Sequence, residues 1–214
     1  MGPFLIMSIV LRYPDAEIVA DRAEVMEAAQ ALGDTAATRR LREFLEWWGA
    51  ARPDELQRSY SETFDFSKRT CLDLTYPTHG DRRQRGLALL KLRQRYTAAG
   101  MAFEGPELPD HLPVLLEFVD ACPDEGGRLL AEYRPVIELL RLALADNATP
   151  YRQVVEALCL TLPELSAEEQ AEVRRMAAQG PPDEAVGLEP FAPPEVMPEP
   201  VRPLAACAPV RRPA

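Results

Sequence analysis

A chain of 214 residues with 47% apolar side chains is long enough to bury a core and too apolar to be disordered throughout. Its formal net charge of −10 argues against nucleic acid as the main partner, because phosphate binding needs a concentrated positive field; it suits a basic peptide or a basic protein surface. Ala, Leu, Arg and Glu dominate and β-branched residues show no period of two, so the expected fold is all-α: one compact helical bundle over residues 1–180 and a proline-rich tail over 181–214.

Phe4 to Leu11 is apolar but far shorter than the roughly 18 residues that span a bilayer. No basic residue precedes it and no small-residue cleavage site follows, so it reads as a core helix over Phe4 to Arg12 rather than a signal segment. Pro14 stops it. Asp15 is expected to cap a single helix with Ile18, Arg22, Val25, Ala29 and Leu32 on one face and Gly33 as its stop. Thr35 or Thr38 opens the next, with Leu41, Phe44, Leu45 and Trp48 as its apolar stripe. Pro53, followed by Asp54 and Glu55, starts a helix running to about Thr63.

Phe64 to Thr78 predicts a short helical turn around Thr70 to Leu74, with Pro77 forbidding regular continuation. Asp81 is the expected N-cap of a long helix to Ala99. Arg85, Leu89, Leu92, Tyr96 and Ala99 share one face of it, while Leu87 and Leu90 point elsewhere, a pattern that predicts a central helix. Arg85 is then half-buried and needs a carboxylate, Asp65 or Asp73. The linker Gly100, Gly105, Pro106 and Pro109 leads to Asp110, the expected cap of a helix with Leu112, Leu115, Leu116 and Val119 buried. Cys122-Pro123-Asp124 breaks that helix. Further helices are expected at Gly127 to Tyr133, Pro135 to Ala145 and Pro150 to Leu160, and a capping box at Ser166 to Glu169 opens a last one ending at Gly180. The tail beyond has no apolar period and is expected to be disordered.

Chemistry-bearing patterns are few. Cys71, Cys122, Cys159 and Cys207 are widely spaced with no CxxC, which points to a reduced, cytosolic protein rather than a disulfide framework or a zinc site. His79 and His111 are the only histidines, and neither an HExxH nor a phosphate-binding glycine loop is present. Cys71 with His79 is a conceivable nucleophile pair, but a cysteine in a bundle is more often a small buried hydrophobe. Asp110-His111 reads as an acid–base pair or, more plainly, as a helix cap beside an imidazole. Trp47, Trp48, Phe64, Phe66, Tyr76 and Tyr96 are candidates for a peptide groove, although aromatics at helical spacing are more often core. The cations Arg82, Arg83, Arg85, Lys91, Arg93 and Arg95 form either a contact for an acidic partner or a solvated face.

Two blocks carry a resemblance. Tyr60-Ser-Glu-Thr-Phe-Asp65, Leu72-x-Leu74 and His79-Gly-Asp-Arg-Arg-Gln-Arg-Gly86 are similar to the signature of the NarJ-type assembly chaperones of respiratory nitrate reductase. Glu107-Leu-Pro-Asp-His-Leu-Pro113 resembles the second motif of the wider TorD/DmsD/NarJ family of redox-enzyme chaperones, and Leu11-Arg-Tyr-Pro-Asp15 also fits. The likeness covers about Phe4 to Leu160 and leaves out the tail. It implies an all-α cytoplasmic chaperone that is not an enzyme and need not retain the cofactor, so none is expected as its own. Its partner would be the apo catalytic molybdenum subunit of nitrate reductase with its twin-arginine-like N-terminal peptide. The resemblance places client recognition on Pro109, Asp110 and His111, to which Leu74 and Tyr76 are added as neighbours. Phe64, Asp65, His79, Gly80, Asp81, Arg85 and Gly86 are the motif's structural residues. Asp110→Ala is expected to weaken client binding with the fold intact. Another molybdopterin oxidoreductase as client, a permanent subunit of a membrane redox complex, and a small hydrolase using Asp110-His111 are the competing readings.

Overall fold

The computed structural model describes residues 1–101 and 106–180; the tail and Gly105 of the expected linker lie outside them. The described residues form α-helices joined by short turns, with no strand beyond one isolated bridge. The N-terminal apolar run folds as α1 (Pro3–Val10), and Ile6, Met7 and Val10 are buried. The single helix expected after Pro14 is instead two, α2 (Ala16–Ala20) and α3 (Arg22–Gln30), with Asp21 as the joint. The break lets Arg22 turn inward, where it donates to the Gly49 and Ala51 carbonyls and lies over the Trp48 ring. Asp15 caps α2 as expected, accepting from the Glu17 and Ile18 amides.

Thr35 and Thr38 do not compete for the start of α4 (Ala36–Ala50). They share it as a reciprocal capping box, and the helix continues past Gly49 to Ala50. Next comes α5 (Pro53–Phe64), with Pro53 in its first turn. The helical turn forecast at Thr70 to Leu74 falls earlier, as a 3-10 turn at Lys68–Thr70, and Pro77 sits tolerably in the first turn of a short α6 (Tyr76–His79). Gly80 ends α6 at φ 55°, a left-handed backbone that a side chain disfavours.

Asp81 does not cap α7 (Arg83–Ala98). The N-cap is Arg82, without a side-chain bond, and the Asp81 carboxylate lies 3.8 Å from Arg85 instead. Nor is α7 central. Leu92 and Tyr96 are buried, but Leu87 and Leu90 are 60% and 52% exposed, so the helix lies at the edge of the bundle. Its second apolar side faces outward.

The second half is built from α8 (Leu112–Ala121), α9 (Pro123–Glu132), α10 (Arg134–Asp146), α11 (Arg152–Cys159) and α12 (Ala167–Gln179). Pro123 opens α9 four residues before the expected start, because a proline without an N–H fits a first helical turn. A Cβ on Gly126 would lie 2.6 Å from the Val119 backbone, so α8 and α9 approach as closely as they do only with glycine there. The Ser166–Glu169 capping box forms as expected and Gly180 ends α12. In packing, α4 lies on α11, α1 on α8, and α10 on α11 and α12. The deepest part of the core is aromatic: Tyr151 meets Phe44, Trp47, Tyr60 and Phe64 at centroid distances of 5.0–6.0 Å.

Candidate partner-binding site

The two motif blocks meet in a short antiparallel pairing. The Leu74 amide donates to the Asp110 carbonyl at 3.0 Å and the Leu112 amide to the Leu72 carbonyl at 2.9 Å. Asp73 and His111 therefore stand opposite each other in the non-hydrogen-bonded position, where facing side chains are closest. Their contact follows: His111 Nδ1 lies 3.0 Å from Asp73 Oδ1. Asp110 is not a helix cap, the N-cap of α8 being His111. Asp110 is 1% exposed and points inward, where Oδ2 accepts from the Thr75 amide at 3.0 Å and from the Thr75 hydroxyl at 2.5 Å. Its Oδ1 has no hydrogen-bond partner among the described residues.

Arg85 resolves the choice left open between Asp65 and Asp73. Its guanidinium donates to Asp73 Oδ2 at 2.7 Å and to the Thr75 hydroxyl at 3.3 Å, lies 3.7 Å from Asp110 Oδ2, and stacks over the Tyr76 ring. Burial pushes the Asp73 carboxyl upward, but the hydrogen bond and charge of His111 together with the Arg85 guanidinium outweigh it and hold the carboxyl below its usual range. Tyr96 completes this polar seam by donating from Oη to the Pro109 carbonyl at 2.6 Å.

Beside the seam opens a cleft of about 680 Å³. Arg12, Tyr13 and Asp15 between α1 and α2, Glu17 and Ile18 of α2, Tyr60 of α5, and Asp65 just after α5 form one wall. Met101, Pro106 and Glu107 and then His111, Val114 and Glu117 form the other. Five carboxylates thus face one guanidinium. Asp15 is used in capping α2, and Glu117 is held by Arg12 and the Ser8 hydroxyl. Glu17, Asp65 and Glu107 are exposed and have no ion pair among the described residues. Ile18, Tyr60 and Val114 provide apolar wall between them. Such a surface has the size and charge for a short basic segment with apolar side chains.

Of the expected client-binding set, only His111 reaches this cleft; Pro109, Asp110 and Tyr76 are buried, and Leu74, also buried, borders a different, apolar groove with Cys71, Pro77, Val136, Leu140 and Met176. Among the motif's structural residues, Phe64 is in the aromatic core and Asp65 is on the cleft wall. His79 ends α6, and Gly86 lies on exposed α7 with open space around its Cα. Trp48, Phe64, Tyr76 and Tyr96 are core residues, whereas Phe66 is 82% exposed. Burial pushes the Cys71 thiol up to about 11 and that of Cys159 up to about 12, so both are protonated at neutral pH. Cys207 lies outside the described residues. Sequence reasoning placed Arg12, Tyr13 and Tyr60 in the resemblance blocks without reading them as cleft residues, and missed Glu17 and Glu117. The segments that carry them are far apart in the chain, and no local pattern links one segment to another.

Fold and site together define an all-α helical bundle with an acidic cleft. A protein from Archaeoglobus fulgidus assigned to redox enzyme maturation superposes with a TM-score of 0.55 at 21% identity, over 74% of this chain and 90% of that one. The sequence narrows the class. Residues 27–174 match the family described as nitrate reductase delta subunit. A Bacillus subtilis (strain 168) protein assigned as a nitrate reductase molybdenum cofactor assembly chaperone, NarJ, is 32% identical over 170 residues, 79% of this chain and 92% of its own. The nitrate reductase molybdenum cofactor assembly chaperone NarJ of Escherichia coli (strain K12) is 32% identical over 161 residues, 74% of this chain and 68% of its own. The chain belongs to the nitrate reductase delta subunit family.

Proposed function

We propose that this protein is a system-specific chaperone for respiratory nitrate reductase. It binds the apo catalytic subunit in the cytoplasm, including that subunit's twin-arginine-like N-terminal segment, and holds it competent for molybdenum cofactor insertion and membrane docking. It works by binding, without bond-making and without a cofactor of its own. The observation that carries this reading is the acidic cleft against the Pro109-Asp110-His111 turn. Arginines of the client peptide pair with Glu17, Asp65 and Glu107, and its apolar residues lie on Ile18, Tyr60 and Val114. His111 touches the peptide. Pro109, Asp110, Leu74 and Tyr76 act from behind by fixing the position of His111.

Two measurements test this. Calorimetric titration with a peptide copying the client's N-terminal segment is expected to give salt-sensitive binding; affinity unchanged by neutralising Glu17, Asp65 and Glu107 together rejects the cleft as the site. Deleting the gene is expected to leave nitrate reductase inactive and poor in molybdenum, and normal maturation in the deletion strain rejects the chaperone role.

A further inference from the structure

The outer face of α7 is unlike the rest of the molecule. Between Arg82 and Ala99 the chain carries six cations and no carboxylate, within a protein of net charge −10. The fold turns two of them inward: Arg85 into the polar seam, and Arg95 onto Glu125 and Glu132. Arg82, Arg83, Lys91 and Arg93 remain exposed, with no ion pair among the described residues. At about 100° per residue, Arg83, Leu87, Leu90, Lys91 and Gln94 gather on the side opposite the buried Leu92 and Tyr96, and Arg93 flanks them. Leu87 and Leu90, about one turn apart, are both more than half exposed.

We infer that this face of α7 is an adsorption surface for anionic membrane lipid. The pattern is that of a helix lying in the plane of a bilayer interface: leucines directed to the acyl boundary, and long cationic side chains reaching from either side to phosphates. Among the described residues the shallow hollow on this face is lined by α7 alone, through Leu90, Arg93, Gln94, Thr97 and Ala98, so no second described helix walls a groove for an acidic peptide, and the face suits a flat headgroup layer. Two leucines are far too few for permanent anchoring, so attachment is reversible and depends on anionic lipid and low salt. No helix among the described residues is long and apolar enough to cross a membrane, so this contact is peripheral. None of these residues lines the acidic cleft, which leaves the cleft's lining free of the contact.

Flotation of the full chain with phosphatidylcholine vesicles, with and without phosphatidylglycerol, tests the inference. The protein is expected to float only with phosphatidylglycerol vesicles and to be released by high salt. The variant Arg83→Glu/Lys91→Glu/Arg93→Glu is expected to lower the bound fraction about tenfold or more. Leu87→Gln/Leu90→Gln is expected to lower it several-fold, and both variants should melt like the wild type, since every altered side chain is exposed. No flotation with anionic vesicles, or flotation indifferent to both variants, overturns the proposal. So does binding to polyglutamate or to duplex DNA that anionic vesicles fail to compete away.

Discussion

The polar seam and the acidic cleft lie side by side and share His111, yet they treat charge in opposite ways. In the seam Asp73, Asp110, Arg85 and Thr75 are wholly or partly buried and pair with one another, with Asp110 Oδ1 left without a partner among the described residues. In the cleft Glu17, Asp65 and Glu107 face open space without an ion pair among the described residues. Removing a member of the first group exposes an internal imbalance; removing one of the second changes only what the surface attracts. Most of the motif residues therefore set shape, while of the three charges available to a client Asp65 and Glu107 stand at the edges of the motif blocks and Glu17 lies outside them.

Substitutions that separate stability from affinity sharpen this contrast. The largest effect is expected from Asp110→Ala, which strips the buried Thr75 amide and hydroxyl of their acceptor and Arg85 of a nearby charge. It should cost about 3 kcal/mol of stability in urea unfolding. The earlier expectation of an intact fold does not fit a carboxylate that is 1% exposed. Neutralising Glu17, Asp65 and Glu107 together should leave the melting temperature unchanged and weaken a basic client peptide by about 2 kcal/mol, roughly thirtyfold. A drop in stability with no change in affinity would reverse the two regions' roles.

Acid should act on the seam before it acts on the core. The Asp73 carboxyl is held below its usual range in the folded protein, so its contribution is present above the unfolded carboxylate range and is lost as pH falls through the depressed folded value. Wild type and Asp73→Asn should accordingly differ in stability at neutral pH and converge in strong acid, a trend readable from urea midpoints across a pH series. The smallest effect concerns a polar group in neither region. The Tyr151 hydroxyl is buried and has no hydrogen-bond partner among the described residues, so Tyr151→Phe should be neutral or stabilise by up to about 1 kcal/mol in thermal melts.

Local chemistry was readable where it closes on itself within a few residues. The capping boxes at Thr35–Thr38 and Ser166–Glu169, the Asp15 cap and the stripe of Leu41, Phe44, Leu45 and Trp48 all formed in place. Most of what failed depends on partners distant in sequence. Asp81 and Asp110 both look like caps, since each follows a turn and precedes an apolar run; Asp81 lies instead near Arg85, only four residues on, whereas Thr75, far back in the chain, claims Asp110 outright. The place of α7 was misread because two apolar sides ordinarily mean a central helix, and here the second side is left bare. The need of Arg85 for a carboxylate was legible; that Asp73 rather than Asp65 meets it was not, because that depends on the pairing with His111. The cleft was legible only as a surplus of acid, its lining being gathered from several separate segments.

The pairing of Leu72–Leu74 with Asp110–Leu112 has a dynamic consequence. It works as a non-covalent clasp, gathering α6 and α7 into a single closed loop whose two ends are held by a few bonds. Beyond the clasp, α7 is held through Leu92 and Tyr96 in the core, Tyr96 lying beside Phe118, through Arg85 in the seam and through Arg95. A segment tied in this way opens as a unit, with a free energy below that of global unfolding. Deuterium uptake by the amides of Arg83–Ala98 should therefore report the state of the clasp. A peptide that grips His111 should slow that uptake across a helix it never touches.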